Sequence, residues 1–277
     1  MNKQFFADII LSNLNKVTKK LGYEVVVNKL QAKKYYCSPE KTCINVGSGD
    51  WEANGWLNLD YPTEWYNGIQ SKHKIIPFDI RQDKIPFPNN SVDLIYCSHV
   101  IEHIENIHIE NFFKETYRVL KTGGGIRIAT PDAEFLYNAT KQKKDYWQWR
   151  KNWFKNSTFY IGRNPYPIDY LIREIATPKL QGYTHAISHN DYKNDFENLE
   201  MNVFFEKITS NLSFRKEFPG DHINYWTYNK INSFLQAARF KNIIQSKWNA
   251  SLFREMQDKE KFDLTYPLMS LYVECVK

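Results

Sequence analysis

Two glycines and one aspartate between residues 43 and 60 are spaced for ligand binding. Gly47 and Gly49 form a Gly-Ser-Gly turn after the apolar run that begins at Cys43, and Asp60 ends a second apolar run. A glycine turn lets backbone approach a ligand closely, and a carboxylate at the end of the next strand can accept hydrogen bonds from ribose hydroxyls. This stretch therefore predicts a nucleoside-binding edge of a parallel sheet.

The spacing within this stretch argues against a dinucleotide-binding oxidoreductase. That class needs a third glycine, a helix whose amino end holds a pyrophosphate, and an acidic residue about 20 positions further on. Here five residues separate Gly49 from Gly55, and Asp60 follows Gly47 by 13 positions. There is room for little more than one helical turn, so the pattern favours a nucleoside ligand that carries no phosphate.

Three motifs resemble those of the class I S-adenosylmethionine-dependent methyltransferases, in the branch called methyltransferase type 11-like. They are CINVGSGDWEANGWLNLD (43–60), SVDLIYCSHVIEHI (91–104) and YRVLKTGGGIRIATPD (117–132). The resemblance implies an α/β fold with a Rossmann-like, seven-stranded sheet and helices on both faces. It also implies an enzyme, with S-adenosyl-L-methionine as its cofactor.

The resemblance further implies which residues bind that cofactor. Asp79 matches a carboxylate near the adenine, and Ser98 and His99 follow the fourth strand, where ligands bind in this architecture. The predicted cofactor contacts are Asn45, Gly47, Ser48, Gly49, Asp60, Asp79, Ile80, Ser98 and His99.

Histidines are the candidate catalytic bases. Transfer of a methyl group to a hydroxyl requires a base, and histidine is the usual choice near neutral pH. We predict this role for His99, His103 or His222, in that order, followed by His189.

Two patterns resemble metal sites without matching one. The Glu102-His103 pair resembles a pair in quinone-biosynthesis O-methyltransferases that helps to hold a divalent ion, but His99 stands where those enzymes tend to carry another carboxylate. His185 and His189 have the spacing of a helical chelate, although the acid of a metalloprotease motif is missing. Because such side chains more often orient neighbouring structure, we predict no metal site.

Hydrophobic periodicity places the elements that must position these residues. Helices are expected over 3–21, 105–121 and 228–240, with Gly123 to Gly125 ending the second. Strands are expected from Cys43, over 56–60, in HKIIPFDI (73–80), and over 92–97, 126–129, 241–248 and 271–276, the last two as an antiparallel hairpin.

The motifs divide the chain into three predicted parts. Residues 1–36 form a helical extension, 37–132 and 221–277 form the cofactor-binding core, and 133–220 form a mainly helical insert for acceptor recognition.

Between residues 141 and 163 the insert has one acidic residue, Asp145, against seven basic ones: Lys141, Lys143, Lys144, Arg150, Lys151, Lys155 and Arg163. Interleaved with them are Tyr146, Trp147, Trp149, Trp153 and Phe154. Cationic and flat side chains suit anionic sugars, nucleotides or RNA, but an amphipathic helix with its aromatics packed inward gives the same pattern.

Composition sets the remaining expectations. The chain has 277 residues, 42% hydrophobic, with a net charge of +6 and four cysteines without metal-like spacing. Cysteines beside predicted strands are expected to be reduced and buried, which favours a cytoplasmic location. We find no signal peptide and no apolar stretch approaching the ~20 residues of a membrane-spanning helix.

Taken together, these patterns predict methyl transfer to an oxygen or nitrogen of a small polar acceptor, neutral or anionic, such as a sugar or nucleotide-linked metabolite. Two alternatives stay open at this point. The basic, aromatic insert is compatible with a methyltransferase that acts on RNA or protein. The fold is also compatible with a non-catalytic partner subunit.

Overall fold

Seven short segments, most of them rich in β-branched and aromatic residues, pair into one sheet. The strands are β1 Cys43–Val46, β2 Trp56–Asp60, β3 Ile75–Pro77, β4 Val92–Ser98, β5 Leu120–Pro131, β6 Lys241–Ser246 and β7 Ser270–Val276. Their order across the sheet is β3-β2-β1-β4-β5-β7-β6. Strands β1 to β5 are parallel, and β7 is antiparallel to β5 and β6. The predicted seven-stranded α/β sheet with a final antiparallel hairpin is confirmed.

The computed structural model describes residues 37–142, 145–151, 165–181 and 189–277. The predicted helix over 3–21, the extension 1–36, His185 and much of the basic, aromatic segment lie outside these residues. Within them, no helix is long and apolar enough to cross a membrane.

Helices connect the strands and fill the region between β5 and β6. They are α1 Asn67–Gln70, α2 Asn106–Val119, α3 Ala133–Gln142, α4 Pro167–Ile175, α5 Thr177–Gln181, α6 His189–Asn198, α7 Met201–Thr209 and α8 Tyr228–Ala237. The described part of the predicted insert is helical, as the sequence suggests. Its treatment as a separate acceptor-recognition part stays a prediction.

Alternation along the strands divides the core between the two faces of the sheet. On β4, Ile95 and Cys97 pack in one cluster with residues of α2 and α8, whereas Leu94 and Tyr96 pack in another. This second cluster includes Trp56 together with Met256 and Phe262 from the segment 247–269, which we call the cover segment.

A buried ion pair attaches the cover segment to the sheet. Arg127 on β5 donates from Nε to Oδ1 of Asp263 at 2.9 Å, and both side chains are fully buried. Glu274 on β7 lies 3.1 Å from the same guanidinium. The Asp263 backbone N–H also donates to the Tyr96 hydroxyl at 2.9 Å, so the cover segment is fixed over the carboxyl half of the sheet.

The boundary between α2 and β5 differs from the prediction. The helix ends at Val119, and the three glycines lie inside the strand instead of ending the helix. Pairing explains the difference, because β5 forms a ladder with β7 from Gly125 onwards and Gly123 donates its N–H to the Lys277 carbonyl at 3.0 Å.

The prediction that all cysteines are reduced is wrong for two of them. Cys37 and Cys43 form a disulfide, because the chain before β1 returns beside the start of that strand, with the Cys37 N–H donating to the Asn54 carbonyl at 3.3 Å. Cys97 and Cys275 are free and buried, as expected, and burial raises the pKa of each thiol.

Candidate functional site

The glycine turn after β1 is pressed against two neighbouring elements. Gly47 has φ of +70° and donates its N–H to the Leu59 carbonyl on β2 at 2.8 Å. A Cβ at this position would lie 2.2 Å from Cγ2 of Val100. Only glycine can adopt this conformation at this distance without displacing its neighbour.

Asp60 is held by the same turn. Its Oδ2 accepts the Gly49 N–H at 2.8 Å and lies 3.5 Å from the Ser48 hydroxyl, and its Oδ1 accepts the Tyr61 N–H at 2.8 Å. Burial raises the pKa of this carboxyl group, while the hydrogen bonds from Gly49 and Tyr61 oppose the rise. The turn therefore fixes the position of a carboxylate that still reaches open space.

That space is a cavity of about 220 Å³, which we call the Asp60 cavity. One part of its wall is apolar, and another part offers a carboxylate, tyrosines and histidines. The wall is formed by Val46, Gly47, Gly49, Asp60, Tyr61, Tyr66, Phe78, Ile80, His99, Val100, His103, Ile104, Phe214 and Pro219. A flat base and a hydroxylated sugar match these two kinds of surface.

A second cavity of about 410 Å³, which we call the Lys261 cavity, is also lined by the glycine turn. Its wall is more polar and includes part of the cover segment. The lining residues are Asn45, Gly47, Ser48, Gly49, Asp50, Trp51, Glu52, Tyr96, Ser98, His99, Glu260, Lys261, Leu264 and Thr265. Both cavities share Gly47, Gly49 and His99.

His99 occupies the junction of the two cavities in a conformation set by the end of β4. It has φ of +55°, and its N–H donates to the Ala129 carbonyl at 2.8 Å. Its Nδ1 lies 3.1 Å from Oε1 of Glu102, and its Nε2 lies 2.8 Å from the Ser270 hydroxyl. The imidazole is thus oriented by a carboxylate on one side and faces a hydroxyl on the other.

Glu102 is fully buried behind His99. Its Oε2 accepts a hydrogen bond from the Thr130 hydroxyl at 3.1 Å. Burial alone would raise the pKa of Glu102, but His99 and the nearby His103 outweigh it and hold the pKa below its ordinary value. An ionised carboxylate therefore stands beside the imidazole of His99.

The other two predicted catalytic histidines are stacked edge to face. The ring centroids of His103 and His222 are 4.7 Å apart. His103 borders the Asp60 cavity, whereas His222 is buried and lines neither cavity. Burial and the charge of His103 lower the pKa of His222 well below its usual value. Direct contact between His222 and a ligand in these cavities is not supported by this placement.

Asp79 faces away from both cavities, unlike the other predicted cofactor contacts. Its carboxylate receives two hydrogen bonds from the Arg81 guanidinium, at 2.8 and 2.6 Å. Despite burial, this cation lowers the pKa of Asp79. Arg81 in turn lies 3.8 Å above the ring of Phe214, which lines the Asp60 cavity, so Asp79 supports the wall from behind.

Several residues of the site, some lining a cavity and one contacting His99, were not predicted from the sequence. Tyr61 directly follows Asp60, and this adjacency is a signal that was available. Phe214 and Ser270 are distant in sequence and carry no motif, so only the folded chain brings them to the site.

The described part of the basic, aromatic segment contributes two residues to the core. Trp147 and Arg150 are buried, and Arg150 pairs with the buried Glu174 at 2.8 Å. Lys141 and Lys151 are exposed. The remaining basic residues, Lys143, Lys144, Lys155 and Arg163, lie outside the described residues, and His189 is described for its helical backbone alone.

A comparison with family models gives one match. Residues 60–128, from the end of β2 into β5, match the family model described as a methyltransferase domain. A search of curated proteins returns no match. Among solved structures, an S-adenosylmethionine-dependent methyltransferase from Archaeoglobus fulgidus is 10% identical over all of both chains, with a TM-score of 0.43.

Two further structures show a similarly distant likeness. A methyltransferase from Mesorhizobium loti is 14% identical, with 87% of this chain and 94% of that chain covered and a TM-score of 0.41. Human N-acetylserotonin methyltransferase is 10% identical, with 85% and 47% covered and a TM-score of 0.39. At these values the structural likeness alone assigns no activity.

The match of residues 60–128 to a methyltransferase domain agrees with the strand order and with the glycine turn and its carboxylate. On this match the chain is a methyltransferase, and its cofactor is S-adenosyl-L-methionine. The residues present fit that cofactor, because bare backbone, an accessible carboxylate and an apolar wall meet in the Asp60 cavity.

Proposed function

We propose that this methyltransferase acts on an oxygen or nitrogen of a small polar acceptor, of the sugar or nucleotide-linked class, and that His99 is the base. The observation that carries the proposal is the position of His99, which borders both cavities. A group at this junction is within reach of a cofactor in one cavity and an acceptor in the other.

We propose that the cofactor lies in and beside the Asp60 cavity. Asp60 would accept the ribose hydroxyls, Phe78 and Ile80 would contact the base, and the backbone of Gly47 and Gly49 would border the ligand. Asn45, Ser48 and Ser98, which line the Lys261 cavity, would contact the amino acid end. Asp79 would support the wall through Arg81 and Phe214.

When bound, S-adenosyl-L-methionine supplies an electrophilic methyl group on a sulfonium. The protein contributes the placement of the acceptor and the removal of its proton. An acceptor hydroxyl would take the place of Ser270 at Nε2 of His99 and give its proton to that nitrogen. Glu102, 3.1 Å from Nδ1, would stabilise the imidazolium that forms, as a carboxylate does behind other catalytic histidines.

The lining of the Lys261 cavity supports a neutral or amine-bearing acceptor over an anionic one. Asp50, Glu52 and Glu260 border it, against the single cation Lys261. The Lys261 ammonium also donates to the Glu52 carbonyl at 3.0 Å. A hydroxyl-rich or amino sugar suits this balance of charge better than a phosphosugar.

The alternative of RNA or protein methylation draws less support from the described residues. Stacking of bases needs exposed aromatic side chains beside cations, yet Trp147 and Arg150 are buried. A non-catalytic role would require no oriented base, and the contact between Glu102 and His99 therefore argues for an enzyme.

The test is turnover by the full chain. Wild-type protein is incubated with S-adenosyl-L-methionine and separate panels of sugars, amino sugars, nucleotide sugars, RNA and protein. Formation of S-adenosylhomocysteine and the mass of the methylated product are measured. We expect a product in a small-molecule panel and a kcat lowered about 10²- to 10⁴-fold by His99→Asn, the usual range for a lost general base.

His108→Asn is the matched control, because His108 is half-buried and borders neither cavity. It should keep full kcat, and both variants should bind the cofactor with an affinity within about threefold of wild type, well under the tenfold that 1.4 kcal/mol represents. Products found only in the RNA or protein panel would contradict the small-molecule proposal and support RNA or protein methylation. Cofactor binding without turnover in any panel would support the partner-subunit alternative.

A cytoplasmic location stays a prediction. Its main support was the expected reduced state of the cysteines, and the Cys37–Cys43 disulfide removes that support for two of them. Structural disulfides persist mainly in oxidising compartments. Thiols are alkylated during cell lysis, and the peptide that contains both cysteines is examined by mass spectrometry. Alkylated cysteines would show the reduced state in the cell, and unmodified, linked cysteines would show the disulfide.

A further inference from the structure

Three side chains that can bind a metal ion converge beside the Asp60 cavity. Glu102 and His103 come from the short helical turn after β4, and His222 comes from the segment before α8. One ligand atom of each lies within 4.8 Å of the others. His103 borders the cavity, and the other two side chains are buried behind it.

Hydrogen bonds to backbone fix the tautomer of both histidines. Nδ1 of His103 lies 2.9 Å from the Asp221 carbonyl, and Nδ1 of His222 lies 2.7 Å from the Glu174 carbonyl. A carbonyl oxygen can only accept, so Nδ1 carries the hydrogen in each ring. Each Nε2 is then left with an unprotonated lone pair.

The carboxylate adds a third acceptor. Oε2 of Glu102 is used by the Thr130 hydroxyl, whereas the buried Oε1 receives no well-aligned hydrogen bond from the described residues, with His99 Nδ1 at 3.1 Å. Two imidazole lone pairs and a carboxylate oxygen thus meet at one place. The Glu102 Oε1 is buried with the His99 contact as its nearest donor, and a buried acceptor that lacks a well-aligned donor is costly. A metal ion would bind this oxygen together with both Nε2 atoms.

We propose that Glu102, His103 and His222 form a binding site for one divalent transition-metal ion, with Zn²⁺ as the best match. Two imidazoles and one carboxylate are a known zinc ligand set with an open fourth position. Donation of Nδ1–H to a backbone carbonyl is the usual outer-shell support of a metal-bound histidine. Imidazole nitrogen disfavours Mg²⁺, which prefers oxygen ligands.

The Glu102-His103 pair is visible in the sequence, but nothing there indicates that His222 joins it. His222 lies 119 positions after His103. Backbone hydrogen bonds place His222 beside Glu102 and His103. The N–H groups of Ile223 and Asn224 both donate to the Glu102 carbonyl, at 2.9 and 3.1 Å. The inference goes beyond the proposed methyl transfer and does not depend on the identity of the acceptor.

The test measures Zn²⁺ binding to the full chain after removal of metals by a chelator. Zinc sulfate is titrated in competition with a chromophoric indicator, without cofactor or acceptor, and separate samples receive MgCl₂. We expect one Zn²⁺ per chain, lost or weakened at least tenfold in both His103→Gln and His222→Gln. Millimolar Mg²⁺ should not compete.

His108→Gln is the control and should retain wild-type Zn²⁺ affinity, because His108 is not part of the cluster and borders neither cavity. Circular dichroism of each variant reports whether it is folded. The proposal is overturned if folded His103→Gln and His222→Gln bind Zn²⁺ like wild type, if the control loses binding instead, or if Mg²⁺ displaces Zn²⁺.

A measurement on the wild-type chain covers the case in which the variants do not fold. In protein labelled with ¹⁵N-histidine, Zn²⁺ should shift the Nε2 resonances of two rings and leave their Nδ1 protons in place. Unchanged Nε2 resonances for His103 and His222 at saturating Zn²⁺ would reject the site. Because neither readout involves turnover, failure of the metal site is distinguishable from failure of the proposed methyl transfer.

Discussion

Arg127 and Asp263 form an ion pair in which neither side chain is exposed to solvent. Two guanidinium nitrogens donate to the two carboxylate oxygens, a bidentate geometry that adds directional specificity to the charge interaction. Arg127 belongs to the central part of the sheet, and Asp263 belongs to the cover segment that walls the Lys261 cavity. The pair therefore anchors the cover segment, one wall of the Lys261 cavity, to the sheet.

Removal of one partner should be costly. Asp263→Ala leaves the Arg127 charge buried with Glu274 alone, and we expect the free energy of unfolding to fall by about 3 kcal/mol or more. The measurement is urea denaturation of the metal-free chain. Glu255→Gln, which removes an exposed ion pair with Lys41 in the same segment, should cost less than about 1 kcal/mol. Equal losses in the two variants would show that burial of the Arg127 pair is irrelevant.

Asp60 should decide cofactor affinity. Asp60→Ala is expected to weaken binding of S-adenosyl-L-methionine by about 1.5–3 kcal/mol, the range for a hydrogen bond to a charged group, as measured by calorimetry. Asp93→Ala is the matched control, since Asp93 also accepts a backbone N–H at 2.8 Å, from Thr42, but lines neither cavity. An unchanged affinity in Asp60→Ala would refute the ribose assignment.

Gly47 should tolerate no side chain while Val100 is present. Gly47→Ala combines a left-handed backbone penalty of about 1–2 kcal/mol with overpacking of about 1–3 kcal/mol against Val100. In Gly49→Ala the backbone penalty remains, but no atom lies within 4 Å of the added Cβ, so the loss should be smaller. In a Val100→Ala background the cost of Gly47→Ala should shrink by at least about 1 kcal/mol. Equal costs in both backgrounds, by urea denaturation, would rule out the contact.

Lys230 should make stability depend on pH above neutrality. Burial lowers its pKa to about 8, from an ordinary 10.5, while its ammonium donates to Asn224 at 2.9 Å. Between these values the unfolded chain binds more protons than the folded chain. The contribution of Lys230 to the free energy of unfolding should therefore rise with pH across this window, by less than about 1.4 kcal/mol per pH unit because the side chain is partly exposed. The buried thiols of Cys97 and Cys275, whose pKa values are raised, contribute in the opposite direction.

The measurement for Lys230 is urea denaturation between pH 8 and 9.5, below the range where tyrosines titrate. The free energy of unfolding of wild type minus that of Lys230→Met should rise with pH, whereas the same difference for Lys216→Met, at an exposed position, should stay constant. A constant difference between wild type and Lys230→Met would show that Lys230 does not titrate in this window.

The central features of the fold follow from local sequence. Apolar runs such as 43–46 and 92–97, each followed by a glycine turn or a polar residue, specify strands and the edge at which they end. Gly47, Gly49 and Asp60 meet around one cavity for the same reason, since parallel neighbouring strands bring their carboxyl ends to one edge.

Features that depend on distant contacts could not be predicted. Asp79 lies two residues after β3, but the arginine two residues later binds its carboxylate, and Asp79 lines neither cavity. His222 has no pattern around it that indicates its approach to His103. The disulfide between Cys37 and Cys43 depends on the path of the chain before β1. Hydrophobic periodicity in the sequence does not predict that path.

The position of β7 constrains the order in which the chain can complete its fold. Strand β7, residues 270–276, lies between β5 and β6. During synthesis the other six strands are therefore available before β7 is. Until β7 pairs with it, β5 has a long open edge that can pair with other chains. The sheet is complete only when β7 has been synthesised. The pairing of β7 with β5, Leu120–Pro131, joins residues about 145 positions apart, and closing so long a loop slows folding.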